Sequence, residues 1–152
     1  MASAQYDIYA KQDETLNFHI EYYDTNGNAV DVSVYTGARF QVRPNTASTY
    51  KYLEATINGV TGGGRTGEWL AGVTMKNGIT WTSPGVQGTG GIYLNVGETG
   101  GALTGGIRLT VDYTTMGNVP VGTWVYGLDL VQGITVNELM SGRFVVSDKV
   151  VR

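Results

Sequence analysis

The sequence predicts an all-β fold. Hydrophobic residues recur at a spacing of two, most clearly in Leu16-Asn17-Phe18-His19-Ile20-Glu21-Tyr22 and in Trp124-Val125-Tyr126-Gly127-Leu128-Asp129-Leu130. Side chains alternate between the two faces of a strand, so such a run gives one face a core to meet. Composition agrees, because 23 glycines, ten tyrosines and many valines and threonines suit short strands joined by tight turns rather than helices. A length of 152 residues fits one domain, able to bury roughly two-thirds of the surface its unfolded chain exposes. The fold class expected is therefore a single all-β antiparallel sandwich spanning 1–152.

Residues 16–22 read as a strand with Tyr22 facing inward and Tyr23 outward. Asp24-Thr25-Asn26-Gly27-Asn28 follows with turn chemistry, since Asn-Gly tolerates positive φ. Val30, Val32 and Val34 alternate next. Residues 38–43 give a half-buried strand with Ala38, Phe40 and Val42 on one side, and Pro44 then removes a ladder donor. Between Gly59 and Gly106 lie 16 of the 23 glycines, so residues 44–105 read as a glycine-rich insertion of hairpins and loops. Short apolar pieces survive there at Trp69–Met75, Ile79–Trp81 and Ile92–Val96, with Asn77-Gly78 as a hairpin turn. Ile107–Val111 follows, and a short helical turn fits near Met116 or Glu138. The run 124–131 is closed by Gly133 and returns through Phe144–Val146 towards Val150-Val151, a final extended segment.

Several function classes are disfavoured. The chain contains no cysteine, which removes disulfides, thiolate metal sites and cysteine nucleophiles. A net charge of −3 with scattered Lys and Arg offers no field for a phosphate backbone, so no nucleic-acid partner is expected. No apolar run reaches the roughly 20 residues of a membrane span, and Met1–Gln5 lacks the regions of a secretory signal, so no membrane partner is expected.

The residues that could carry chemistry have plainer explanations. His19 is the sole histidine, with no Cys or second His beside it, and reads as a solvent-side strand residue rather than a metal ligand or general base. Asp24–Asn28 resembles the start of a calcium loop, yet its glycine is fourth rather than sixth and the twelfth position is Tyr35. Gly62-Gly63-Gly64-Arg65-Thr66-Gly67 lacks the Lys-Ser or Lys-Thr pair of a phosphate cradle. Neither Asp13 with Glu14 nor Glu54 with Glu68 is placed across a cleft by its spacing. No catalytic, metal or cofactor-binding residue is assigned, and the chain is read as a non-enzyme without cofactors. Trp124 is expected in the core. Candidate interface residues are Tyr23, Trp69, Trp81 and the guanidinium groups of Arg39, Arg43 and Arg143, whose forks suit carboxylates across a boundary.

Marks at both ends of the chain occur in a recognisable order. They are Tyr6-Asp7-Ile8, Tyr22–Asp31, Ala38–Arg43, Gly106–Val111, Thr114-Thr115-Met116, Gly122–Leu130 and Ser141-Gly142-Arg143. In this order the chain resembles the β-sandwich domain of phage tail-fibre connector and tail-tip collar proteins. It departs from that pattern at Gly127, where the family usually has Asp, and in a longer middle. The resemblance implies an immunoglobulin-like sandwich acting as a non-enzymatic virion structural protein. Such a protein is an adaptor or collar subunit in the tail or baseplate, attaching fibres or neighbouring rings. Its implied partners are other virion proteins and further copies of itself, in a virion assembled in the host cytoplasm. The alternatives are a capsid decoration (cement) protein and a glycan- or receptor-binding module of a tail fibre. Trp69, Trp81 and Tyr93 would form the surface of the latter. Exposed strand edges, the middle region and the C-terminal strand are the segments expected to join neighbouring copies.

Overall fold

The computed structural model describes residues 4–48, 51–57, 59–62, 86–88, 90–117 and 119–150. Among the described residues, eleven strands form two packed sheets. The larger holds β1 (Ala4–Gln5), β2 (Ile8–Lys11), β4 (Gly37–Arg43), β5 (Leu53–Thr56), β6 (Gly59–Gly62), β7 (Val86–Gly88), β10 (Gly122–Gln132) and β11 (Thr135–Ser147). Its order is β1-β11-β10-β4-β5-β6-β7, with β2 also on β11. The smaller sheet is β3 (Leu16–Glu21), β9 (Ala102–Val111) and β8 (Gly90–Val96), in the order β3-β9-β8. The protein is an all-β sandwich.

Alternation of side chains decides what meets between the sheets. Phe40 and Val42 of β4, Tyr126, Leu128 and Leu130 of β10 and Phe144 and Val146 of β11 are buried on one side. Leu16 of β3, Ile92 of β8 and Ile107, Leu109 and Val111 of β9 meet them from the other. The Phe40 ring lies 5.3 Å from Tyr126 and 5.9 Å from Phe144, and these three rings anchor the core. Trp124 packs at its margin, its indole N–H donating to Pro120 O at 2.8 Å and its ring 4.7 Å from Tyr52.

The local expectations at 24–28 and around Met116 match the structure. Asp24 Oδ1 accepts the Asn26 and Asn28 N–H groups, each at 2.9 Å, while Gly27 takes φ +82° and a bridge joins Tyr23 to Ala29. Tyr113–Gly117 forms a single helical turn, α1, with Asp112 Oδ1 accepting the Thr115 N–H.

Four features differ from the sequence reading. First, the sandwich is mixed rather than purely antiparallel, because β1 and β2 run parallel to β11. The chain crosses after Lys11 to the smaller sheet, so the first segment has no hairpin partner and lies along the open edge of the last strand. Second, the described part of 44–105 belongs to the framework: Leu53 and Ala55 of β5 and Ile92 of β8 are fully buried. Third, Val32–Val34 is a 3-10 turn capped by Asp31, whose carboxylate accepts the Ser33 N–H, so Val32 is buried and Val34 exposed. Fourth, β11 ends at Ser147, and Val150 is fully exposed. Glu138 lies within β11, not in a helical turn.

A candidate interaction face on the larger sheet

The residues facing away from the core on β10 are Val125, Gly127, Asp129 and Val131. Antiparallel register places Arg43, Gln41, Arg39 and Gly37 of β4 directly opposite them. On the other flank Glu138 faces Asp129 and Val136 faces Val131. On β5, Glu54 faces Gln41 and Thr56 faces Arg39. Three successive rows result: an apolar row through Val136, Val131 and Gly37; a charged row through Glu138, Asp129, Arg39 and Thr56; and a polar row through Gly127, Gln41 and Glu54.

The charged and polar rows are wired within the chain. Arg39 Nη2 lies 3.4 Å from Asp129 Oδ2. Arg43 donates to Ser48 O at 2.7 Å and to Gln41 Oε1 at 2.9 Å, and Gln41 Nε2 donates in turn to Glu54. Lys51 Nζ stands 3.2 Å from the same carboxylate. Burial pushes the Glu54 carboxyl above its usual range against the pull of Lys51 and Gln41, and burial raises Asp129 against the pull of Arg39. Gly127 leaves the centre open, with nothing within 4 Å of the position its Cβ would occupy. A shallow groove of about 330 Å³ lies there, walled by Arg39, Gln41, Arg43, Asp129 and Glu138.

The apolar row continues to the end of the sheet. Gly133 has φ +59° at the first central position of a two-residue hairpin loop between Gln132 and Thr135, the pattern of a type II′ turn. That turn holds Ile134 fully exposed at the tip. Val136 (47 % exposed), Ile57 (42 %) and Val34 (53 %) are further exposed aliphatic residues at this end. A hollow of about 300 Å³ opens over Gly37, walled by Ala38, Ile57, Val131 and Val136.

Of the residues the sequence singled out for an interface, Arg39 and Arg43 stand on this face with the partners just given. Arg143 is elsewhere, forking onto Asp7 through Nε at 3.1 Å and Nη2 at 2.7 Å, and this pair holds the Asp7 carboxyl below its usual range. All three guanidinium groups thus have partners inside the chain. Tyr23 is exposed on the opposite flank, beside an apolar groove lined by Ala4, Ile20, Tyr22, Leu139 and Met140. Leu139 and Met140 line one groove although consecutive, because a β-bulge leaves Leu139 without a partner on β10. Trp69 and Trp81 lie outside the described residues. Tyr93 shares a row on the outer face of the smaller sheet with Arg108 and His19. His19 thus stands on the solvent side of its strand, as expected, although among the described residues its Nε2 is buried without a hydrogen-bond partner.

The sequence reading missed the aliphatic end, whose signal was an isoleucine beside Gly133 where turn chemistry calls for a polar residue. Among the described residues no cluster of three or more His, Asp or Glu is placed to hold a metal, and no helix is long and apolar enough to cross a membrane. No protein-family model matches the chain, and no curated protein is similar to it in sequence.

Proposed function

We propose that the chain is a non-enzymatic structural subunit of a phage virion, an adaptor or collar component of the tail or baseplate. It joins fibres or neighbouring rings through the outer face and open edges of its sandwich. The observation that carries this reading is the surface of the larger sheet. That face is internally wired by Arg39–Asp129 and Arg43–Gln41–Glu54, and it ends in exposed aliphatic residues, the chemistry of a contact surface. The ordered marks at both chain ends support it. Tyr6, Asp7, Tyr126, Gly142 and Arg143 are the residues that lock the first strand onto the last, as a framework motif would.

An immunoglobulin-like arrangement belongs to the same proposal. What supports it is the strand order β11-β10-β4-β5-β6 against β3-β9-β8, which is compatible with the order of the nine-strand variable-type sandwich, with the first strand beside the last.

Antibody labelling of purified phage particles tests the role. Label at the tail or baseplate is the expected result. Label confined to the capsid would replace it with the decoration reading, and washed particles free of the chain would overturn both.

A further inference from the structure

The first segment of the chain is an arm laid on the last strand. Among the described residues β1 and β2 pair with β11 and with no other strand, and they run parallel to it, so no hairpin binds the arm to the strand beneath. The Tyr6 N–H donates to Ser141 O at 3.0 Å and the Gln12 N–H to Ser147 O at 2.9 Å, extending the ladder. Asp7 accepts the Arg143 N–H at 3.0 Å besides holding its guanidinium, and Gly142 lacks a Cβ where the Tyr6 carbonyl sits. Ile8 and Ala10 are buried opposite Phe144 and Val146. The seat on β11 is thus complementary to one segment, and every copy of the chain carries that segment.

A single short link decides which copy's arm fills the seat. After Gln12 the chain crosses from the larger sheet to Leu16 of the smaller through Asp13-Glu14-Thr15. Asp13 there holds φ +62°, left-handed backbone that costs free energy in a residue with a side chain. Extended, these three residues reach about 10 Å, enough to pass the arm to a molecule lying alongside, and Asp13 is then released to an ordinary φ. We propose that residues 4–12 exchange between neighbouring copies, the arm of each lying on β11 of the other.

A second copy is the occupant because nothing new has to be recognised. Every contact just given is remade across the boundary, the Arg143 fork on Asp7 and the Tyr6 ring beside Phe18 included. Closed and exchanged forms therefore differ chiefly in the hinge and in concentration. Within one molecule the arm stands at an effective concentration on the order of 1 mM for its own seat, so a dilute chain stays closed. Copies packed side by side in a particle exceed that concentration. The inference deepens the assembly reading above and rests on it for those neighbours.

Refolding of the full chain from urea tests the exchange, at about 1 mM and about a thousandfold more dilute. Concentrated refolding is expected to give a dimer that still sediments as one after dilution, and dilute refolding a monomer. The chain has no cysteine, so introduced pairs report where the arm lies. Tyr9 faces Val145 and Lys11 faces Ser147 across the ladder. Tyr9→Cys and Val145→Cys chains, refolded together at the higher concentration and then oxidised, should be joined to each other through these two positions. Lys11→Cys with Ser147→Cys repeats the test at a second rung. The same variants refolded apart and mixed afterwards should stay unjoined. Asp13→Gly, which frees the left-handed φ of its cost, should lower the dimer yield about fivefold or more. A monomer at both concentrations, a dimer joined at neither rung, or a yield indifferent to Asp13→Gly would each overturn the exchange. Particles that carry the chain with no link between copies at either rung would overturn it while sparing the virion role. Exchanged dimers of a chain absent from particles would do the reverse.

Discussion

At the scale of single residues, the junction of the first and last strands is among the tightest places of the described residues. Gly142 faces inward opposite Tyr126, and a Cβ there would come within 2.1 Å of Tyr6 O, which is backbone and cannot swing aside. Gly142→Ala should therefore cost about 1–3 kcal/mol in urea unfolding, as overpacking does. The Tyr126 hydroxyl donates to the same Tyr6 carbonyl at 2.5 Å, and burial, helped by the charge of Asp7, lifts its pKa to about 12. Tyr126→Phe leaves that carbonyl short of a donor and should lower stability by roughly 1–2 kcal/mol. Two carboxyls act with opposite sign on the pH dependence. Asp7, depressed by Arg143, contributes stability that is present above the unfolded value near 4 and lost as pH falls through its lower folded value. Glu54, raised by burial, contributes stability present below about 4.3 and lost as pH rises through its folded value. Thermal melts across this range should show the acid-side loss reduced in Asp7→Asn and the loss on raising pH reduced in Glu54→Gln.

At the scale of elements, the sandwich depends on one asparagine to join a strand to a turn. Asn95 interrupts β8 with φ +56°, a left-handed conformation that Asn tolerates better than most residues. Its Oδ1 accepts the Val32 and Gly105 N–H groups at 3.2 and 3.1 Å, and its Nδ2 donates to Asp31 at 2.7 Å. Asn95→Ala loses all three bonds and the conformational tolerance, so a loss of about 2–4 kcal/mol in denaturant unfolding is expected. Such links explain which elements the sequence made legible. Strands 16–21, 37–43 and 122–132 carry an alternation of large apolar residues long enough to declare itself. Leu53-Glu54-Ala55-Thr56 offers only two apolar residues, one of them alanine, and its central glutamate is buried by a network spanning two strands. Val30, Val32 and Val34 alternate, yet the Asp31 cap wins locally and winds Val32–Val34 into a turn.

At the scale of the whole molecule, β4 and β10 lie inside the larger sheet with partners on both sides, whereas β3 and β8 are edges. Native-state hydrogen exchange should find the slowest amides in β4 and β10, and slowest exchange in β3 or β8 would contradict this layering. The candidate face was only half legible. Arg39 and Arg43 were visible as side chains suited to contacts, but that each already holds a partner depends on register, which sequence does not print. The hollow over Gly37 exists only because that glycine is set against Val131 by strand pairing.

The parallel placement of β1 and β2 on β11 has a mechanical consequence. Ala4 pairs with Met140 and Lys11 with Ser147, so the leading end of the first strand and the trailing end of the last lie at opposite ends of one ladder. Tension drawn through those two ends loads the whole ladder in shear, together with the Asp7–Arg143 fork bridging its midpoint, instead of opening it one rung at a time. A domain strung in series between two larger bodies would yield abruptly and at high force rather than peel, and in single-molecule stretching Asp7→Ala should lower that force.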